Sequence, residues 1–206
     1  MTATTFIHTS DFQLGMTRWF LQGEAQGRFN DDREAAIMRL GLLAEDTGAE
    51  FIVVAGDVFE HNSLSREILA RATEMFKRLP VPVYVLPGNH DPLVADSVFY
   101  KTSADNVHVI ADSQPIEVAP GVELVGAPYL SKRANHDLVR HALEPLEPAE
   151  GIRIAVGHGQ VDSRSGEDDA DTIDLAFVED CLDRGVIDYL ALGDTPVSYT
   201  HLTLPT

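Results

Sequence analysis

Carboxylate, amide and imidazole side chains recur in this sequence directly after short apolar runs. Seven residues hold such positions, namely Asp11, Gln13, Asp57, Asn89, His90, His158 and Asp194. Oxygen and imidazole ligands together suit divalent transition metals, and imidazole favours manganese, iron or zinc over magnesium or calcium. The residue types therefore indicate a metal site whose members come from separate parts of the chain.

The apolar runs before these residues predict the elements that must position them. They are rich in β-branched residues, are bounded by glycine or polar residues, and cover residues 6–9, 51–55, 83–86, 152–156 and 187–192. Such runs are typical of strands buried on both faces of a parallel sheet. Ligands of open α/β sheets bind beyond the carboxyl ends of the strands, so we expect the polar residues to meet at one sheet edge.

Helical periodicity alternates with these strands, which is typical of an α/β fold. Apolar residues at three-to-four spacing predict helices over residues 33–44, 65–79, 135–143 and 174–183. Short strands at 107–110, 115–118 and 122–125 are separated by proline and glycine turns and indicate a mixed sheet or the edge of a second sheet. Two packed sheets covered by helices fit this order. Long loops are expected at residues 11–30 and 160–171, both leaving the ligand edge.

The first of these loops carries the triplet Trp19-Phe20-Leu21. Such a triplet could contact a nucleobase or a partner subunit. Aromatic and aliphatic residues in loops more often anchor the loop by packing, and we therefore expect a packing role.

Composition narrows the class of protein. The chain has 206 residues, 44% of them hydrophobic, which suits one domain or part of a larger protein. No signal peptide and no run long enough to span a bilayer is evident, so we expect a cytoplasmic protein without a membrane partner. A single cysteine, Cys181, excludes a disulfide within the chain. The formal charge of −18 argues against a broad phosphate-binding surface and lowers the expectation of DNA binding.

The last eleven residues depart from this pattern. Residues 196–206 read Pro-Val-Ser-Tyr-Thr-His-Leu-Thr-Leu-Pro-Thr, with no charge and no strand or helix periodicity. This string matches the translation of a common transposase-based sequencing adapter. Our hypothesis is that the natural sequence diverges after Thr195 and that the tail is non-native. A genomic read that continued as Val-Ser-Tyr would contradict it.

The polar motifs, taken in order, resemble the five motifs of calcineurin-like metallophosphoesterases. They are Asp11-Phe12-Gln13, Gly56-Asp57, Gly88-Asn89-His90-Asp91, Gly157-His158 and Gly193-Asp194-Thr195. The resemblance covers residues 5–195. It implies one metallophosphoesterase domain over residues 1–195, built as a β-sandwich flanked by helices in α/β/β/α order and incomplete at its C-terminus.

The resemblance also implies a role for each ligand in a site for two divalent metals, with manganese expected and iron or zinc as alternatives. Asp57 bridges the metals. Asp11 holds the first, together with Gln13, which stands where the family usually has histidine. Metal 2 is held by Asn89, His158 and Asp194, the last also in place of a family histidine. Pro196 falls where the family has a further histidine, and because proline cannot ligate, loss of activity is expected for the chain as given.

Two catalytic residues follow from the same resemblance. His90 is not a ligand in the family and would face the leaving oxygen as general acid or transition-state stabiliser, which suits the pKa of imidazole. Glu60 stands where the family often has an aspartate that orients this histidine.

Within the family, residues 56–65 look most like the SbcD/Mre-type DNA repair nucleases. That branch implies a manganese-dependent DNA exonuclease or endonuclease subunit, an SbcC/Rad-type ATPase as partner, and a homodimer as one option. Two alternatives stay open. One is a phosphodiesterase or phosphatase acting on nucleotides or another small phosphoester, and the other is a degenerate, non-catalytic scaffold of a repair complex.

Overall fold

Two four-stranded sheets pack face to face between helices in the computed structural model, which describes residues 3–161 and 172–194. The strands are β1 (Phe6–Thr9), β2 (Phe51–Val54), β3 (Val83–Val85), β4 (Val107–Val109), β5 (Ile116–Ala119), β6 (Val122–Gly126), β7 (Ile152–His158) and β8 (Tyr189–Gly193). The helices are α1 (Glu24–Thr47), α2 (Arg66–Lys77), α3 (Leu138–Leu143) and α4 (Leu175–Asp183), with a short 3-10 helix at Val98–Tyr100. The expectations for residues 196–206 and for most of the second long loop lie outside the described residues.

The first sheet has the order β1-β2-β3-β4 and is parallel throughout. Strand β2 shows why its sequence is apolar without alternation, because both of its faces are buried. Ile52 and Val54 point to the outer core beneath α1 and α2, whereas Phe51 and Val53 point to the core between the sheets. A strand covered on both sides needs a continuous apolar run.

The second sheet has the order β5-β6-β7-β8 and is mixed. Strands β5 and β6 pair antiparallel, and β6, β7 and β8 pair parallel. This confirms the predicted mixed sheet. The run that begins at Val107 does not belong to it, however, because β4 pairs parallel with β3 and forms the edge of the first sheet.

Three apolar cores follow the order of the layers, which confirms the predicted α/β/β/α sandwich. The middle core joins the sheets through residues such as Phe51 and Leu124, which are fully buried. An outer core lies under α1 and α2, and another, around Val178 and Cys181, lies under α3 and α4. Cys181 is thus a buried core residue.

Helix α1 corrects the predicted first loop, since it begins at Glu24 inside the range expected to lack structure. Gly23 precedes it with a positive φ of 55° and no side-chain cap, so the usual capping signal is missing from the sequence. Helix α2 begins where expected, and the hydroxyl of Ser65 accepts a hydrogen bond from the Ile68 N–H. Among the described residues, no helix combines the length and the apolar character needed to cross a membrane.

Candidate metal centre

His158, at the end of β7, is the centre of the site and is buried between the two sheets. Its Nδ1 lies 2.8 Å from the carbonyl oxygen of Ala55, which makes Nδ1 a donor to this oxygen and turns Nε2 toward the site as the nitrogen that a metal would bind. Three oxygens surround Nε2. They are Asp57 Oδ2 at 3.3 Å, Asn89 Oδ1 at 3.3 Å and Asp194 Oδ1 at 3.6 Å.

Asp57 follows β2 and is also buried. Its Oδ2 faces His158, while its Oδ1 accepts a hydrogen bond of 3.0 Å from the backbone N–H of His90. Burial alone would lower the pKa of His158, but the hydrogen bond and charge of Asp57, aided by Ala55 and Asp11, raise it to about 9. The negative charge around the imidazole therefore favours a cation, and the same charge would stabilise a bound metal ion.

Asp11 completes a set of three potential ligands from three strands. Asp11, Asp57 and His158 each offer one atom, and these atoms lie within 4.8 Å of one another. The Oδ2 of Asp11 also accepts a hydrogen bond of 3.1 Å from the backbone N–H of Asp194. This bond ties the carboxyl end of the first sheet to that of the second. The donor set of carboxylates, an amide and an imidazole with a fixed tautomer fits a divalent transition metal.

Backbone strain is concentrated in the same residues. The described chain has four non-glycine residues with positive φ, and all are candidate ligands: Asp11, Gln13, Asp57 and Asp194. Such conformations cost on the order of 1 kcal/mol each and persist where the surroundings impose them, often at functional sites. The chain turns sharply after each strand so that the carboxylates of Asp11, Asp57 and Asp194 lie close to His158.

Glycines in the motifs make room for the ligands. A Cβ on Gly56 would lie 2.1 Å from His158 Nδ1, and a Cβ on Gly88 would lie 2.2 Å from Asp57 Oδ1. A Cβ on Gly193 would lie 1.9 Å from the carbonyl oxygen of Ala55, the acceptor of the His158 bond. Each of these contacts is far too short for a side chain, so the glycines are required by the approach of the ligands.

Gln13 is tied to the site by two hydrogen bonds of its backbone. Its N–H donates to the carbonyl of Asp57 at 2.8 Å, and its own carbonyl accepts a bond of 2.7 Å from the guanidinium of Arg33 on α1. Ligation by its side-chain amide stays a prediction. The sequence pattern did not point to Arg33 as a residue that holds this loop, because only the fold brings α1 against it.

His90 lies beside the proposed ligands with its imidazole partly exposed. Its Nδ1 is 3.1 Å from the backbone carbonyl of Glu60 and 3.9 Å from the carboxylate Oε1 of the same residue. The main chain of Glu60, more than its side chain, therefore orients the imidazole. Nδ1 donates to this carbonyl, which leaves Nε2 for a substrate oxygen.

Asp91 is a residue of the site whose role the sequence did not reveal. It is fully buried, and its two oxygens accept hydrogen bonds of 2.8 Å from the backbone N–H groups of Phe59 and Gly88. Burial raises the pKa of Asp91 to about 6, against the opposing effect of these two bonds. The carboxyl group joins the loop after β2 to the loop after β3, and so fixes Asp57 relative to Asn89.

These features define a candidate metal site that is shared by the carboxyl ends of two packed sheets. The chain belongs to the calcineurin-like phosphoesterase family, whose pattern it matches over residues 4–198. The family assignment predicted from the five motifs is thus confirmed.

The sequence identity to individual relatives is low. The chain is 25% identical over 203 residues to an uncharacterized metallophosphoesterase, YhaO, of Bacillus subtilis, covering 94% of this chain and 48% of that protein. It is 30% identical over 98 residues to the DNA double-strand break repair protein Mre11 of Archaeoglobus fulgidus, covering 46% and 21%. The chain therefore spans about half the length, or less, of these curated relatives.

The fold has a solved counterpart. The crystal structure of the protein TT1561 of Thermus thermophilus superposes with a TM-score of 0.57 at 12% identity, covering 94% of this chain and 83% of that one. This likeness concerns the fold alone. The extent of the domain, residues 1–195, stays a prediction.

Proposed function

We propose that this protein is the catalytic part of a nuclease that hydrolyses phosphodiester bonds in DNA with two divalent metal ions, for which manganese is the expected metal. The observation that carries the proposal is the convergence of Asp57, Asn89 and Asp194 oxygens on the Nε2 atom of His158, with a ligand atom of Asp11 within 4.8 Å of those of Asp57 and His158. When bound, two metals would lower the pKa of a water molecule and neutralise charge on the phosphate.

The chain's own residues prepare this chemistry. His158 presents Nε2 to the site because Ala55 holds the opposite nitrogen. Asp57 offers Oδ2 to the side of His158, while its Oδ1 is held by the N–H of His90. His90 holds the proposed bridging carboxylate of Asp57 through its backbone N–H, and its side chain is the proposed general acid. One residue therefore places the general acid next to the metal site.

His90 would supply the proton in this proposal. Its Nδ1 is held by the Glu60 carbonyl, so Nε2 can face the leaving oxygen of the phosphodiester. General acid catalysis by a positioned imidazole contributes roughly 10²- to 10⁴-fold to a rate. The partly exposed ring is accessible to a substrate that approaches from solvent.

The DNA substrate is supported by the likeness of residues 56–65 to SbcD/Mre-type nucleases and by the partial similarity to an archaeal Mre11. An SbcC/Rad-type ATPase partner, a homodimer and a cytoplasmic location belong to the same proposal. One observation favours a second candidate, hydrolysis of a nucleotide or other small phosphoester. The formal charge of −18 offers little to attract a long polyanion.

The test uses the full-length protein with manganese on two substrates, linear duplex DNA and bis(p-nitrophenyl) phosphate. A DNA nuclease cleaves both, and Asp57→Asn abolishes both activities. Cleavage of the small diester alone would favour the second candidate. No cleavage of either, by a folded and metal-loaded protein, would overturn the proposal and favour the non-catalytic scaffold.

A further inference from the structure

The first loop presents two aromatic side chains to solvent. Trp19 is 92% exposed and Phe20 is 59% exposed, with ring centroids 5.8 Å apart in an edge-to-face arrangement. The packing role expected from the sequence is therefore wrong for these two rings. An exposed tryptophan contributes little to the stability of the fold, because its large apolar surface is not buried.

This aromatic pair is held on a pinned loop. The side chain of Gln26, on α1, accepts a hydrogen bond of 2.9 Å from the Arg18 N–H and donates one of 3.2 Å to the Met16 carbonyl. At the other end, the Gln13 N–H binds the Asp57 carbonyl at 2.8 Å. The short segment between Gln13 and Phe20 thus connects the metal centre directly to the exposed rings.

Positive charge lies along the same loop. The guanidinium of Arg33, on α1, donates a hydrogen bond of 2.7 Å to the carbonyl of Gln13, at the start of the loop that carries the rings. Arg18 directly precedes Trp19 and is exposed. In a chain with 15 basic and 33 acidic residues, two arginines at this loop mark a local preference for an anion.

We propose that Trp19 and Phe20 stack on an unpaired nucleobase of the substrate, while Arg18 contacts an adjacent phosphate. The inference rests on the proposed nuclease function and deepens it, because it selects single-stranded or frayed DNA ends over intact duplex. Proteins that bind single strands combine basic groups for the backbone with aromatic rings for the bases. The phosphate next to the stacked base would then enter the metal centre.

The experiment compares the wild-type protein with the double variant W19A/F20A on two single-stranded oligonucleotides. One carries normal bases, and the other carries a short run of abasic residues at the cleaved end. We expect the wild type to have a KM on the order of ten-fold lower for the oligonucleotide with bases, and the double variant to lose this difference. Its kcat on the abasic oligonucleotide should be unchanged, which shows an intact metal centre.

Two controls sharpen the result. Y100A removes another exposed aromatic ring, 67% accessible, and should change neither KM. Trp19 is the one tryptophan in these 206 residues, so oligonucleotide binding to an H90N protein should quench its fluorescence, and W19F, which keeps an aromatic ring, should lose the signal but retain the low KM.

An equal KM for both oligonucleotides in the wild type, with cleavage intact, would overturn the stacking inference and leave the nuclease proposal standing. A double variant that changes KM only because a dimer dissociates, seen by size-exclusion chromatography, would also overturn it, since the rings would then form a protein interface. Failure of the wild type to cleave either oligonucleotide would instead be failure of the proposed function.

Discussion

The Nε2 atom of His158 lies 3.3 Å from Oδ2 of Asp57, although the two residues end strands of different sheets. The contact joins the carboxyl edges of the two sheets at a buried point. It means that the metal centre forms only when the sandwich is assembled. Changes at this contact should therefore act first on metal binding.

Loss of the His158 imidazole should remove one metal. We expect His158→Ala to reduce metal content by about one ion per chain. The change removes the imidazole ligand and leaves only the three oxygens around the position of Nε2 to hold the metal. Elemental analysis of the purified protein measures this. The exposed His136, replaced by Gln, is the matched control and should retain full metal content. Unchanged metal content in His158→Ala would contradict the assignment.

Crowding at Gly88 should disturb the centre without removing any ligand. In Gly88→Ala, a Cβ 2.2 Å from Asp57 Oδ1 forces the carboxylate to move. A displacement of about 1 Å at a catalytic group can cost roughly 100-fold in rate, which is the expected loss in phosphodiesterase activity.

Gly27 offers the control for this change. It lies on α1 with nothing within 4 Å of the point where an alanine methyl group would lie, and Gly27→Ala should raise the free energy of unfolding by about 0.5 to 1 kcal/mol with activity retained. Equal activity in Gly88→Ala and Gly27→Ala would show that the close approach at Gly88 has no role.

The role of His90 as general acid should be separable from metal binding. We expect His90→Asn to lower kcat by roughly 10²- to 10⁴-fold with metal content unchanged, because His90 contacts Asp57 through its backbone N–H alone. Steady-state kinetics and elemental analysis on the same sample test this. Loss of metal in His90→Asn would assign the imidazole to the ligand set.

Replacement of the Glu60 carboxylate should have a much smaller effect. The carboxylate is 3.9 Å from His90 Nδ1, and the shorter bond comes from the Glu60 main chain, which Glu60→Gln retains. A partly exposed pair of this kind contributes about 0.2 to 1 kcal/mol, so the loss in kcat should be roughly five-fold or less. A loss as large as that of His90→Asn would mean that the side chain orients the imidazole after all.

His8 should make the sandwich sensitive to acid. Burial lowers the pKa of His8, with a smaller opposing effect from a backbone hydrogen bond at Leu192, and its Nδ1 lies 3.1 Å from the hydroxyl of Tyr189 across the two sheets. A lowered pKa means that the folded state binds fewer protons than the unfolded one. This stabilisation is present above the ordinary histidine pKa of about 6.5 and is lost as the pH falls below it.

The test is urea unfolding on either side of that ordinary histidine pKa, at about one pH unit above and one below it. His8→Asn, whose amide oxygen can take the place of Nδ1, should lose less stability between these values than the wild type. His136→Gln changes an exposed histidine and should follow the wild type. The same loss in His8→Asn and wild type would show that His8 does not carry this sensitivity.

Some elements of the fold are encoded in their own residues, and others depend on distant ones. Strand β2 was predicted within one residue because burial of both faces demands an uninterrupted apolar run. The start of α1 was missed because Gly23 gives no capping signal. The place of β4 could not be read from its own residues, since an edge strand of either sheet has the same local pattern.

The sequence predicts that Asp57 and His158 meet at one sheet edge, but it does not predict the residues that support them. Asp57 and His158 follow strands, and the ends of parallel strands meet at one edge. Asp91 contacts the backbone of Phe59, 32 residues away, and Arg33 contacts that of Gln13, 20 residues away, and no spacing encodes either contact. The carbonyl of Glu60 orients His90, and a backbone atom leaves no mark in the residue types.

The most direct test of a two-metal centre bridged by Asp57 is an anomalous difference map from crystals of the full-length protein grown with manganese. We expect two peaks that share Asp57 as a ligand, with His158 and Asn89 at one and Asp11 at the other. Two peaks without a shared Asp57, or a single peak at full manganese occupancy, would contradict this assignment.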